Sequence, residues 1–186
     1  MKTKILIIAA IMAVTLISCK KTEDVKNAES KTEPAIVAKQ NFSVELKVVA
    51  ERDDNFSLYY TEDNSINFNG DHAVWSGVKG QKESQNVILN LGDEIIPTQI
   101  RLDFGIKNRQ ERGDVTLENF KISYYGKTFE KRGSDFLKYF LKNDSITTDI
   151  DEVKGTIKFN KNLKNSVSPF YYPNQPLVDE ISKLTK

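Results

Sequence analysis

The sequence predicts an antiparallel β-sandwich or jelly roll with one or two short helices at its periphery. Six to eight short runs alternate apolar and polar residues with a period of two, which is typical of half-buried strands. Turn signals separate these runs about every ten residues, as in all-β sandwiches. The clearest alternation lies between Val87 and Tyr125, where Gly and Pro mark the breaks between three strand-like segments.

Between residues 42 and 125, the predicted strands cover residues 44–50, 56–60, 73–78, 87–91, 99–104 and 115–124. In the last of them the apolar residues are odd-numbered at Val115 and Leu117 but even-numbered at Phe120, Ile122 and Tyr124. A shift of one residue would turn the apolar side chains to the other face of a strand. This change of phase therefore predicts a β-bulge near residues 118–119.

The last third of the chain predicts two helices and two further strands. Ser134 has the residue type of a helix N-cap, and apolar pairs at i,i+4 spacing indicate a short helix that ends near Lys142. Strands are predicted at residues 147–150 and 156–159. Residues 169–173 are rich in proline and aromatic rings, and apolar residues at helical spacing then predict a short terminal helix: Leu177, Ile181 and Leu184.

The N-terminal segment has the features of a targeting sequence. Lys2 and Lys4 precede an apolar run over residues 5–17, which is too short to span a bilayer comfortably and matches the core of a signal peptide. The run ends in Leu16-Ile17-Ser18-Cys19, which resembles the lipobox of bacterial lipoproteins. The resemblance implies cleavage before Cys19 and lipidation of this residue, the one cysteine in the chain. The alternative is an ordinary secretory signal with a chance cysteine.

The chain is accordingly expected to have three parts. Residues 1–18 are the signal peptide, residues 19–41 are the lipidated cysteine with a flexible tether, and residues 42–186 are the β-sandwich domain with its helical C-terminal segment. Residues 20–41 are rich in charge and poor in bulky apolar side chains, so they bury too little surface to offset the entropy lost on ordering.

Two short segments of the tether bear on localisation. Lys20 after the cysteine is similar to lipoproteins sorted to the outer membrane, and residues 21–24 resemble the surface-directing motif of Bacteroidetes-type lipoproteins. The resemblance implies a lipid-anchored outer-membrane protein, with exposure on the cell surface as an extension of that expectation. A plain solvated linker is the alternative for this run of charges.

Composition excludes several classes of function. A net charge of +1 without a basic block offers no electrostatic footprint for nucleic acid. His72 is the single histidine, and lipidation of Cys19 would leave no free cysteine, so Cys–His pairs and multi-histidine metal centres are excluded. We therefore expect no catalytic residues and no enzyme. A pair of carboxylates of the glycoside hydrolase type stays open as the alternative, because its spacing is set by the fold.

The polar loop before Ala73 resembles a calcium-binding loop only in part. Residues 65–70 imitate the start of an EF-hand loop, but its first place lacks a carboxylate and its twelfth place is Ser76 instead of Glu. We therefore predict no cofactor and no metal ligands. The alternative left open is a structural calcium ion held by loop oxygens, drawn from Asp63, Asn67, Asn69 and Asp71.

The aromatic residues suggest where a ligand could bind. Strand phase turns Tyr60 and Tyr124 inward and leaves their neighbours Tyr59 and Tyr125 outward. Flat rings on a rigid sheet stack on the apolar faces of sugars, while neighbouring polar groups bond the hydroxyls. The predicted ligand-binding residues are Tyr59, Trp75, Gln99, Arg101, Asp103 and Tyr125. The alternatives are that these tyrosines pack under the C-terminal segment or the helix, and that Trp75 lies in the core.

Residues 96–105 and 115–122, together with Leu58-Tyr59-Tyr60, resemble jelly-roll accessory domains similar to carbohydrate-binding modules. The pattern is a strand with an Arg-x-Asp centre, a loop, and then strands rich in Leu and Ile. The helix near residues 134–141 and the aromatic tail lie outside it. The resemblance implies a lipid-anchored cell-envelope protein with a non-catalytic, glycan-binding domain. The alternative is an accessory lipoprotein that docks on another envelope protein.

Overall fold

Eleven strands and two helices make up the residues described by the computed structural model, namely 41–107, 111–142, 148–159 and 169–186; residues 148 and 149 are described by backbone only. In chain order they are β1 (Ser43–Ala50), β2 (Asp54–Thr61), β3 (Ala73–Val78), β4 (Gln81–Asn90), β5 (Gln99–Phe104), β6 (Val115–Tyr124), β7 (Lys127–Arg132), α1 (Phe136–Tyr139), β8 (Phe140–Leu141), β9 (Thr148–Asp151), β10 (Thr156–Phe159), β11 (Phe170–Pro173) and α2 (Gln175–Thr185). Single 3₁₀ turns precede β3 and α1.

The strands form two antiparallel sheets. Sheet 1 has the order β4-β1-β6-β10-β9, with β7 also paired to β6, and sheet 2 has the order β3-β2-β5-β11-β8. The successive pairs β1–β2, β3–β4 and β5–β6 each contribute one strand to each sheet. This arrangement places β3–β4 on one side of the central pair β1–β2 and β5–β6 on the other. The predicted antiparallel β-sandwich is confirmed.

The inner faces of the two sheets share one apolar core. As the alternation predicts, the core includes Ile100, Leu102 and Phe104 from β5, all fully buried. Phe136 of α1 joins the two sheets, because its ring lies 5.7 Å from that of Phe104 and 6.0 Å from that of Phe120. Phe136 is thus the buried side chain of α1, and Leu137 and Tyr139 pack against the core beside it.

The predicted bulge in β6 is confirmed. Lys47 of β1 lies opposite Asn119, whereas the next residue, Val48, lies opposite Leu117, so Glu118 has no partner on β1. The extra residue moves the apolar side chains from odd to even positions and increases the local twist of the strand.

One edge of β6 is shared by two strands, and glycine makes this possible. β7 pairs with residues 119–124, and β10 pairs with residues 115–116. At the point between them Leu117 donates its N–H to the carbonyl of Gly155 at 2.9 Å. A methyl group on Gly133 would overlap the carbonyl oxygen of Leu117. Only glycine therefore lets the chain pass this closely.

The sequence prediction was wrong for part of the C-terminal half. The first helix ends at Tyr139, and no side chain caps its first turn. Phe140 and Leu141 form β8 instead, because they pair with Pro173 and Tyr172 of β11. Neither β7 nor β11 was predicted, whereas the terminal helix and strands β9 and β10 agree closely with the prediction.

Within the described parts of the chain, no helix has both the length and the apolar character needed to cross a membrane.

Candidate functional site: the outer faces of the two sheets

Strand register brings most of the predicted ligand-binding residues together on the outer face of sheet 2. Tyr59 of β2 lies opposite Arg101 of β5. One row further along, Asp103 lies opposite both Ser57 of β2 and Phe170 of β11. Residues directly opposite each other in antiparallel strands point to the same face, so these side chains form one continuous surface.

At the centre of this surface is an ion pair that is largely shielded from water. Nε and Nη2 of Arg101 donate to the two carboxylate oxygens of Asp103 at 2.8 and 2.9 Å. Only 14% of the Arg101 side chain and 8% of the Asp103 side chain are exposed. Burial raises the pKa of Asp103, and the hydrogen bonds from Arg101 offset this only in part. Burial acts to lower the pKa of Arg101, but bonding to Asp103 outweighs it and the pKa is raised.

Four aromatic rings surround the guanidinium of Arg101. Its carbon atom lies 4.0 Å from the ring centre of Tyr59 and 4.8 Å from that of Phe170, with Phe68 and Tyr172 at 5.7 and 5.9 Å. The shortest distance corresponds to direct cation–π stacking, so one face of the Tyr59 ring is already occupied. We call this surface the aromatic face; it consists of Tyr59, Phe68, Trp75, Phe170 and Tyr172 around Arg101 and Asp103.

Trp75 is the ring of the aromatic face with the most open surface. The sequence predicted it as a ligand-binding residue, with a core position as the alternative, and 51% of this residue is exposed. Register places Trp75 on the outer side of sheet 2, opposite Ser57, and β3 lies at the edge of that sheet. Its ring centre is 6.1 Å from that of Tyr59, in an edge-to-face arrangement. Trp75, rather than Tyr59, is therefore available for stacking.

The other two predicted residues have different positions. Gln99 lies opposite Thr61 at the end of β5 and is half-buried beside the aromatic face. Tyr125 is 63% exposed, but it lies in the turn between β6 and β7 of sheet 1. Its φ of 45° and the φ of 80° at Gly126 make a type I′ hairpin turn. The prediction that Tyr125 shares a surface with Arg101 was wrong, because β6 belongs to sheet 1 whereas β5, which carries Arg101, belongs to sheet 2.

Two of the four candidate calcium ligands, Asp63 and Asn69, bind the backbone of their own loop. Oδ1 of Asp63 accepts the N–H of Ser65 at 3.0 Å, and Oδ1 of Asn69 accepts the N–H of Asp71 at 3.0 Å. The first of these bonds lowers the pKa of Asp63. Across residues 41–107, 111–142, 150–159 and 169–186, no three His, Cys, Asp or Glu side chains are grouped closely enough to hold a metal ion. His72 stacks on Tyr60, with 5.2 Å between ring centres.

The outer face of sheet 1 is a polar concavity of about 520 Å³. It contains an exposed ion pair, with Nζ of Lys47 at 3.1 Å from a carboxylate oxygen of Glu118. A hydrogen bond from the Ser84 hydroxyl and the bond to Lys47 lower the pKa of Glu118. The residues that line this charged groove are Glu45, Lys47, Asn86, Glu118, Asn119, Lys121, Glu130 and Arg132.

Sequence analysis did not single out the charged groove or the rings of Phe68, Phe170 and Tyr172. The groove residues occupy the polar positions of β1, β4, β6 and β7, which in the sequence look like any solvated strand face. Their alignment depends on the register of strands distant in the chain. Aromatic enrichment near residue 170 was the available signal for β11.

Comparison of the chain with protein-family models, curated proteins and solved structures found no match.

Proposed function

We propose that this protein is a non-catalytic binding protein that takes glycan on its aromatic face and is anchored to the outer membrane through lipid on Cys19. The observation that carries the binding proposal is the half-exposed Trp75 next to a shielded Arg101–Asp103 pair. The indole supplies a flat apolar surface, and the neighbouring groups supply hydrogen bonds.

The geometry favours binding because the polar groups are already held in place. Asp103 accepts from two nitrogens of Arg101, and a guanidinium carries five N–H donors. Stacking on Tyr59 and Phe170 restrains the guanidinium plane. A ligand hydroxyl that reaches the remaining donors would therefore bind without ordering a free side chain, which reduces the entropic cost of association.

Trp75 also provides the test, because it is the one tryptophan in the chain. Neutral oligosaccharides titrated into the full-length chain in non-ionic detergent should shift the tryptophan emission to shorter wavelength as the indole leaves water. In affinity gels, Trp75→Ala should migrate without retardation by the polysaccharide. Tyr125→Ala is the matched control, since it removes an exposed ring from the turn between β6 and β7, away from the aromatic face. Equal retardation of the Trp75→Ala variant and the wild type would contradict the proposal.

A second candidate function is docking on another envelope protein. It is favoured by exposed apolar side chains close to the aromatic face: Leu141, opposite Tyr172, is 48% exposed, and Ile66, two residues before Phe68, is 59% exposed. Leu141→Lys should abolish capture of a protein partner and leave binding to polysaccharide intact. If Leu141→Lys loses the partner while both the variant and the wild type are retarded by polysaccharide, both functions exist. If the wild type captures a partner and polysaccharide does not retard it, docking alone is favoured.

The anchor proposal rests on the sequence, since Cys19 lies outside the described residues. In cells supplied with a labelled fatty acid, the wild-type chain should incorporate label and fractionate with the outer membrane. Cys19→Ser should lose the label and leave the membrane fraction. Label that persists in Cys19→Ser would contradict lipidation at this residue.

A further inference from the structure

We propose that the charged groove of sheet 1 is a second ligand site, and that it binds an acidic oligosaccharide, that is, a sugar chain bearing carboxylate groups. The site is on the opposite side of the sandwich from the aromatic face. It does not depend on the proposed function of sheet 2.

The floor of the groove consists of two rows of side chains in register across four strands. One row holds cations and amides: Asn86, Lys47, Asn119 and Arg132. The other row carries two carboxylates and a lysine beside an exposed isoleucine: Glu45, Glu130, Lys121 and Ile88. Neighbouring strands are about 4.8 Å apart, and residues two apart along a strand are about 7 Å apart. The two rows therefore present different hydrogen-bonding groups at a spacing comparable to the width of a sugar ring.

Some of these charges already have partners and others do not. Glu118, turned outward by the bulge, neutralises Lys47, and Nδ2 of Asn119 donates to Glu130 at 2.8 Å. Among the described residues, no carboxylate lies within 4.0 Å of the charged nitrogens of Arg132 or Lys121. The planar guanidinium of Arg132 matches a carboxylate in two-point geometry. The groove thus has a cationic group suited to an acidic ligand.

The chemistry of the lining selects among ligands. None of the eight lining residues is aromatic, so the groove offers no ring on which a neutral sugar could stack. A small inorganic anion would leave Glu45 and Glu130 without bonds to it. A sugar acid can place its carboxylate at Arg132 and donate hydroxyl hydrogens to the carboxylates of the neighbouring row. The volume of about 520 Å³ is also within the range of small-ligand sites, roughly 300–1,000 Å³.

The experiment is calorimetric titration of the full-length chain, in non-ionic detergent, with oligomers of galacturonate and of mannuronate. The comparison ligands are the methyl esters of the same oligomers, which keep the shape and remove the charge. We expect the acids to bind and the esters to bind at least tenfold more weakly. Binding should also weaken as salt is added, since the groove charges are exposed to solvent.

Variants locate the site. Arg132→Ala should weaken binding of the acids by roughly ten- to a hundredfold, the usual range for a lost hydrogen bond to a charged group. Arg132→Lys should recover part of it, and Lys121→Met should weaken it independently. Lys158→Ala, an exposed cation on β10 of the same sheet but outside the groove, is the matched control.

Three results would overturn the proposal: no binding of either acid, equal binding of acids and esters, or equal effects of Arg132→Ala and Lys158→Ala. Thermal unfolding of each variant identifies any that fails to fold. If Arg132→Ala is such a variant, the comparison of Lys121→Met with Lys158→Ala decides whether the acids bind in the groove. Trp75→Ala should leave binding of the acids unchanged, so failure of this site and failure of the aromatic face are distinguishable.

Discussion

The two outer faces of this sandwich each carry an ion pair, and the pairs differ in their access to water. On sheet 2, the side chains of Arg101 and Asp103 are 14% and 8% exposed. On sheet 1, those of Lys47 and Glu118 are 53% and 37% exposed. The same chemistry therefore has two roles. The shielded pair is held in one geometry by its surroundings, whereas the exposed pair can exchange its partner for water or for a ligand.

The difference arises from what lies beside each pair. Phe68 from a loop and Phe170 and Tyr172 from β11 surround Arg101 and keep water away. The neighbours of Lys47 are polar side chains of β4, β6 and β7. Coulombic attraction is stronger in the less polar surroundings of Arg101 and Asp103. The free-energy cost of removing one partner is also larger there, because it leaves a shielded charge unpaired.

The largest expected effect is therefore on sheet 2. Asp103→Ala leaves the guanidinium of Arg101 shielded from water and without its carboxylate, which should lower the free energy of unfolding by about 3 kcal/mol. Glu118→Ala removes the corresponding partner on sheet 1 and should cost less than about 1 kcal/mol. Urea denaturation of both variants measures the difference. Equal losses in the free energy of unfolding would show that the contribution of an ion pair to stability does not depend on its exposure here.

A smaller effect is expected when the charge is kept and its shape is changed. Arg101→Lys loses the two-point bond to Asp103 and the flat stacking on Tyr59, which should cost about 1.5 kcal/mol. Lys47→Arg, the reverse exchange on the open face, should stay within about 0.5 kcal/mol of wild type. Thermal unfolding of the two variants tests this. A cost for Lys47→Arg as large as that for Arg101→Lys would contradict the comparison.

The smallest effect concerns pH, and its sign should differ between the faces. Burial raises the pKa of Asp103, so its contribution to stability is complete below its ordinary pKa of about 3.9 and is lost as pH rises through the raised value. The bonds from Ser84 and Lys47 lower the pKa of Glu118. Its contribution is complete above its ordinary pKa of about 4.3 and is lost as pH falls through the lowered value.

Two neutral variants isolate these contributions. Between about pH 3 and pH 6, the free energy of unfolding of wild type should fall relative to Asp103→Asn and rise relative to Glu118→Gln. Urea denaturation across this range, with all three proteins measured in the same buffers, gives both differences. If both differences in the free energy of unfolding changed with pH in the same direction, the opposite pKa shifts of Asp103 and Glu118 would be contradicted.

Sequence analysis was accurate where a strand could be recognised from its own residues. The alternation in β1, β5 and β6 predicted both the strands and the buried side chains, including the bulge at Glu118. It missed β7, which has one buried apolar residue, Phe129, and misassigned Phe140 to a helix. At Phe140, pairing with the distant strand β11 outweighs local preference. β7 pairs with its neighbour β6, but a single buried apolar residue gives too weak an alternation to predict it.

The candidate site was predicted in part for the same reason. Alternation alone places Tyr59, Arg101 and Asp103 outward on their strands, and register then brings them together. The position of Tyr125 depended on β5 and β6 joining different sheets, which the pairing of strands decides. The exposure of Trp75 depended on whether another segment covers it, and no local pattern carries that information.

The sequence by itself determined the fold class, the core face of each central strand, the bulge, and the lipobox-like motif that predicts an anchor at Cys19. These depend on periodicity or on a few adjacent residues. Only the tertiary structure decided that rings from a loop and from β11 enclose Arg101, and that eight polar side chains from four strands line one groove. Both arrangements depend on pairing between segments far apart in the chain, and the free energy of that pairing comes from contacts that no single segment contains.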